Sequence, residues 1–169
     1  MTLRGRWAAG IQPRNFNWIL AGSLAVSERP GGYARNHRKV RRQEEIIWLR
    51  EQGFTRIVSL LGSPHNLYAY DEEGIAWSQV PMPPTGDAAM ELADLFAKLS
   101  AWLDAGERVL VHQEELGDRI MGVMAAFLLW TGRLEDSPQA ITVVERMLHR
   151  RMGPAGRVLM TMLPAKPGG

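Results

Sequence analysis

The stretch Val111-His112-Gln113-Glu114-Glu115-Leu116-Gly117-Asp118-Arg119, followed by the apolar run at 120–130, decides how this chain is read. Residues 108–112 (RVLVH) are β-branched, apolar and of strand length. The run at 120–130 is too uniformly hydrophobic for a surface helix, so it is expected to be a central buried helix stopped by Gly132. Between the two lies a short polar loop that ends in Arg119. A strand, a tight loop and a buried helix in this order bring the loop's backbone N–H groups and the helix N-terminus to one place. That device is an anion cradle.

The flanking sequence predicts the layers around this unit. Residues 56–61 (RIVSLL) are a buried strand, and residues 17–20 and 75–80 are strand candidates. Residues 40–52 suit a helix closed by Gly53, with Ile46, Ile47 and Leu49 among charges. A second helix after Asp87, its expected N-cap, carries Leu92, Leu95, Phe96, Leu99, Trp102 and Leu103 at helical spacing and ends at Gly106. Residues 137–150 are a third, with Pro138 in its first turn and Ile141, Val144 and Met147 facing inward. Residues 28–37 and 63–74 read as loops, as does the Pro-rich run Met82-Pro83-Pro84-Thr85-Gly86. Alternating strands and helices imply an α/β fold, a sandwich with a central, largely parallel sheet flanked by helices. The whole chain, 1–169, is expected to be one domain with loose ends at 1–14 and 164–169.

Composition narrows the chemistry. The chain has 169 residues, 46% hydrophobic and 22% charged, with no cysteine. Disulfides, thiolate metal sites and thiol catalysis are thereby excluded together. No apolar run is long enough to span a bilayer, and the N-terminus lacks a signal-peptide core, so a cytoplasmic location with no membrane partner is expected. The formal charge of +2 makes nucleic acid an unlikely partner overall. Basic residues do crowd one stretch: Arg35, His37, Arg38, Lys39, Arg41 and Arg42. It reads either as a solvated loop and first helical turn or as a docking site for an acidic partner or phosphate. No nucleotide or dinucleotide fingerprint and no metal-ligand spacing is present, so no cofactor and no metal is expected; His37 and His65 are lone loop histidines.

The loop resembles the signature loop of cysteine-dependent phosphatases: His-Cys, five residues, then Arg. Gln113 sits at the Cys and Arg119 at the Arg. The remainder is similar to the small atypical dual-specificity phosphatases. Asn15-Phe16-Asn17-Trp18-Ile19 with Gly22-Ser23-Leu24-Ala25 and Pro30 looks like their N-terminal strand and turn. Ile57-Val58-Ser59-Leu60-Leu61 looks like their second strand, and Val80-Pro81-Met82-Pro83 like their general-acid loop. The similarity runs over about 14–155. It implies the phosphatase fold with His112 supporting the loop by hydrogen bonding.

The departures from that pattern imply loss of the phosphatase reaction. A carboxamide at Gln113 is no substitute for the thiolate that attacks phosphorus. Pro83 stands where the resemblance expects the proton-donating Asp, and Ile120 where it expects a hydroxyl. Asp87 is the nearest carboxylate, either a helix cap or a displaced general acid. Glu114, Glu115 and Asp118 crowd the loop. Two like charges ~5 Å apart repel by about 3 kcal/mol at an effective dielectric near 20, so the loop is expected to oppose a phosphate dianion unless its carboxylates find cations. Three functions stay open. One is a catalytically dead pseudophosphatase that binds a ligand or protein partner through Gln113, Gly117, Arg119 and the supporting His112. Another is a phosphatase-fold enzyme repurposed for acid/base chemistry (cyclisation, hydration or isomerisation), with Glu114, Glu115 and Asp118 as catalytic groups. The third is a residual phosphate-ester enzyme using Asp87 or a carboxylate nucleophile.

Overall fold

The computed structural model describes residues 10–32, 39–64, 66–83 and 85–165. Five strands form one sheet: β1 (Asn17–Leu20), β2 (Leu24–Glu28), β3 (Arg56–Ser59), β4 (Ala76–Gln79) and β5 (Val109–Gln113). Their spatial order is β1-β2-β5-β3-β4, with β5 at the centre. β2–β5, β5–β3 and β3–β4 are parallel and β1–β2 is antiparallel, as a largely parallel α/β sheet requires.

The period of two along the strands sorts side chains between two cores. Leu24, Val26, Val58, Val109 and Val111 face the larger core, shared with helices α3 (Ala89–Asp104), α4 (Asp118–Trp130), α5 (Ser137–Leu148) and α6 (Pro154–Met160). Ala25, Ile57 and Leu110 face the smaller one, shared with α1 (Lys39–Glu51) and α2 (Tyr68–Glu72). α4 is buried on nearly every side, which is why its sequence is apolar all round. Its closest neighbour is α6. A Cβ at Gly122 would lie 2.4 Å from the Gly156 carbonyl oxygen, and one at Gly156 2.4 Å from the Asp118 carbonyl oxygen. The two helix backbones touch because neither position carries a side chain.

Several expectations are corrected. β2 is a full strand, although its residues were expected to belong to a strand-and-turn unit and a loop. α2 lies inside the segment expected to be loop, because Leu67, Ala69 and Tyr70 bury themselves against the smaller core. α6 was not anticipated; Pro154 starts it and its Gly156 permits the approach to α4. On α5 the buried face is Ala140, Val144 and Leu148, with Ile141 and Met147 only partly covered. Asp87 Oδ1 accepts from Ala89 N at 2.9 Å, leading into α3, but the capping position itself is Ala88. The loose N-terminus is expected at 1–14, yet within it Ile11 N donates to Glu44 O on α1 at 3.0 Å and Pro13 is buried; residues 1–9 lie outside the described residues. So do residues 166–169, His65, Pro84 and, from the basic stretch, Arg35, His37 and Arg38. Among the described residues no helix is long and apolar enough to cross a membrane.

Candidate functional site: the loop between β5 and α4

Parallel α/β sheets leave a crevice at the carboxyl ends of their strands, beside helix N-termini. Here the central strand β5 ends at Gln113, residues 114–117 make the turn, and α4 begins at Asp118. Arg119 therefore stands on the first turn of the helix rather than in the loop proper. Gln113, Glu114, Glu115, Gly117, Asp118 and Arg119 line one open cavity of about 560 Å³, completed by Leu61 and Arg150. The sequence motif is thus gathered at a single concave site.

His112 is not in the wall. It lies one residue earlier on β5 and faces the opposite side of the sheet, where strand register sets it between Ser27 and Ser59, all three fully buried. Its Nε2 lies 3.3 Å from the Tyr70 hydroxyl. Its Nδ1 has no hydrogen-bond partner among the described residues. Burial pushes the imidazole pKa down to about 4, with the Gln113 backbone opposing that shift and the positive Arg29 adding to it. Burial likewise raises the Tyr70 phenol above its ordinary value. His112 is therefore a neutral core residue under the loop. Tyr70 is part of that core, whereas Tyr68 is exposed.

The loop's carboxylates are engaged by two arginines that the sequence does not bring near them. Glu114 pairs with Arg29 Nη1 at 3.3 Å. Arg29 is fixed in turn: its Nε and Nη2 donate to Gly32 O, and its backbone N–H donates to Gln113 O at 2.9 Å. Asp118 Oδ1 accepts from Arg150 Nη2 at 3.0 Å and from Gly153 N at 2.9 Å. Arg150 Nη1 also donates to the Leu116 carbonyl at 2.5 Å. Arg119 Nη2 donates to the Pro83 carbonyl oxygen, tying α4 to the Pro-rich loop. The expected repulsion among the three carboxylates is thereby offset: Arg29, Arg119 and Arg150 stand against Glu114, Glu115 and Asp118. Glu115 alone among the three has no ion pair among the described residues. Asp87 is exposed and does not line the cavity.

Arg29 and Arg150 are the residues that sequence reasoning missed. Arg29 reaches the loop because β2 pairs with β5 so that Glu28 lies beside Gln113. Arg150 reaches it because α5 and α6 both pack on α4. Neither relation has a local sequence signal, although the Arg29-Pro30-Gly31-Gly32 turn marks where a strand end could be fixed.

No family model matches the chain. Its architecture does match solved structures. It is similar to Tk-PTP in its active form, at 18% identity over 88% of this chain and 95% of that one, with a TM-score of 0.70. It is similar to kinase associated phosphatase (KAP) carrying a serine in place of its catalytic-site cysteine, at 18% identity, 88% and 93% coverage and a TM-score of 0.72. The core catalytic domain of the PP-IP phosphatase SIW14 from S. cerevisiae matches at 15% identity, 90% and 87% coverage and a TM-score of 0.66. With its helix-flanked central sheet and its strand-loop-helix cavity, the chain has the dual-specificity-phosphatase-like fold.

Proposed function

We propose that this chain is a pseudophosphatase, a module of phosphatase fold that does not catalyse phosphate transfer and instead binds a ligand or partner in the loop cavity. The observation that carries the reading is Gln113. It ends the strand that feeds the loop and lines the cavity, at the place where the resemblance expects the cysteine nucleophile, in a chain without any cysteine. The other groups support it. Arg119 is committed to the Pro83 carbonyl, Asp118 to α6, and Glu114 to Arg29, so three of the motif's four charges are spent on holding the cavity's shape.

Restoring the nucleophile tests this directly. The Gln113→Cys variant is expected to remain nearly inactive on an aryl phosphate, because no carboxyl group stands at Pro83 to protonate the leaving oxygen. A missing general acid costs about a hundredfold to ten-thousandfold. The double variant with Pro83→Asp is therefore expected to exceed the single one by about a hundredfold or more. A vigorous single variant would show that the loop is still a working phosphatase loop lacking only its thiol.

A second reading is favoured by one observation. Glu115 lines the open cavity without an ion pair among the described residues, so it is the carboxylate best placed for acid/base chemistry on a bound molecule. Under that reading Glu115→Gln abolishes a reaction; under the binding reading it changes affinity only.

A further inference from the structure

The C-terminal half of α5 and the turn after it form a second groove, of about 390 Å³, next to the loop cavity and sharing Arg150 with it. Its other walls are Thr142, Glu145, Arg146, His149 and Arg151. Its charge is lopsided. Arg146 and Arg151 are exposed, and neither has an ion pair or a hydrogen bond among the described residues. The groove's Arg150 is paired with Asp118, and outside the groove Arg29, Arg41, Arg50 and Arg56 are each paired with a carboxylate. The one acid in the groove, Glu145, is turned to its own chain, where its Oε2 accepts from Met152 N at 2.8 Å.

His149 adds a second oddity. It ends α5 at φ 55, a left-handed position that glycine fills at no steric cost. The imidazole thus held on the groove wall extends the row of nitrogen donors. The helix C-terminus favours cations at this end, but that attraction leaves the guanidinium forks without acceptors.

We propose that this groove is a docking surface for an acidic peptide segment of a partner protein, its carboxylates taken by Arg146 and Arg151. The guanidinium fork matches a carboxylate in a bidentate fashion. Peptide is favoured over nucleic acid by what lies around the groove. The adjoining cavity presents Glu114 and Glu115, which a uniform polyanion would meet and a peptide of mixed charge would not. No Phe, Tyr or Trp lines the groove to stack a base.

Fluorescence anisotropy of a labelled mixed-charge peptide, a short cluster of glutamates followed by lysines, at low salt tests the proposal on the full chain. Binding is expected, and the Arg146→Glu/Arg151→Glu variant should weaken it by about tenfold or more. Arg133→Glu, an exposed reversal of a single charge outside the groove, should leave it within about twofold. Circular dichroism and the denaturation midpoint confirm that each variant is folded. Absence of peptide binding, equal binding by the double variant, or equal loss with Arg133→Glu would overturn the proposal. So would tighter binding of an oligo-dT strand that the double variant abolishes, since the groove would then be a nucleic-acid surface.

Discussion

Asp118→Ala is expected to lower unfolding free energy by about 2–4 kcal/mol, the sum of a charge-assisted bond to Arg150 and the bond that satisfies the Gly153 N–H. The reason is position. Asp118 opens α4, and its Oδ1 holds the N-terminus of α6 at the point where the two helix backbones touch. Cutting that staple loosens α6 and leaves Arg150 tied to the loop by the Leu116 carbonyl alone. Asp118→Asn keeps an acceptor and should cost about half as much or less. Urea midpoints of the three proteins measure the effect. An Asp118→Ala protein as stable as the parent would mean that the carboxylate is not structural, and its role as an acid/base group would have to be reconsidered.

Acid is expected to destabilise the fold earlier than carboxylate titration alone would. In the unfolded chain the His112 imidazole takes up a proton near pH 6.5. In the folded chain burial delays that uptake to about pH 4. Between those values the unfolded state holds more protons, so stability is full above about pH 6.5 and falls as the pH drops towards 4. The gap corresponds to about 3 kcal/mol at its low end. Denaturant melts at half-unit steps over this window should show the loss. His112→Gln, though less stable at neutral pH for want of the packing against Tyr70, should be flatter across it. A parent protein whose stability is unchanged from pH 6.5 to 4.5 would contradict the buried, neutral imidazole.

What the sequence revealed, and what it hid, follows from how local each signal is. The unit β5-loop-α4 was legible because a β-branched run, a polar turn and an all-apolar helix are contiguous in the chain. β3, β4, α1, α3 and α5 were legible from period and from stops such as Gly53 and Gly106. β2 was not, since Leu24-Ala25-Val26-Ser27-Glu28 mixes small, apolar and polar residues; it is buried on both faces because it lies between β1 and β5, with Leu24 and Val26 in the larger core and Ala25 in the smaller. α2 and α6 are short helices stabilised by what they pack against rather than by their own sequence.

The site divides the same way. Gln113, Glu114, Glu115, Gly117, Asp118 and Arg119 could be read as one group because they are neighbours in sequence. Their electrostatics could not. Arg29 arrives by strand register and Arg150 by helix packing, and together they pair two of the cluster's three carboxylates. Pro83 joins through its backbone carbonyl, which no side-chain pattern records.

The central claim is that no phosphoryl group is ever transferred to this protein in its loop cavity. The direct measurement is a single-turnover experiment, with protein in excess over an aryl phosphate, quenched and read by intact mass and by released phenol. The account predicts no phosphoprotein and phenol release at the buffer rate, in the parent and in Arg119→Ala alike. A phosphoryl adduct, or a burst of phenol stoichiometric with substrate, that disappears in Arg119→Ala would contradict it and place a working nucleophile in the cavity.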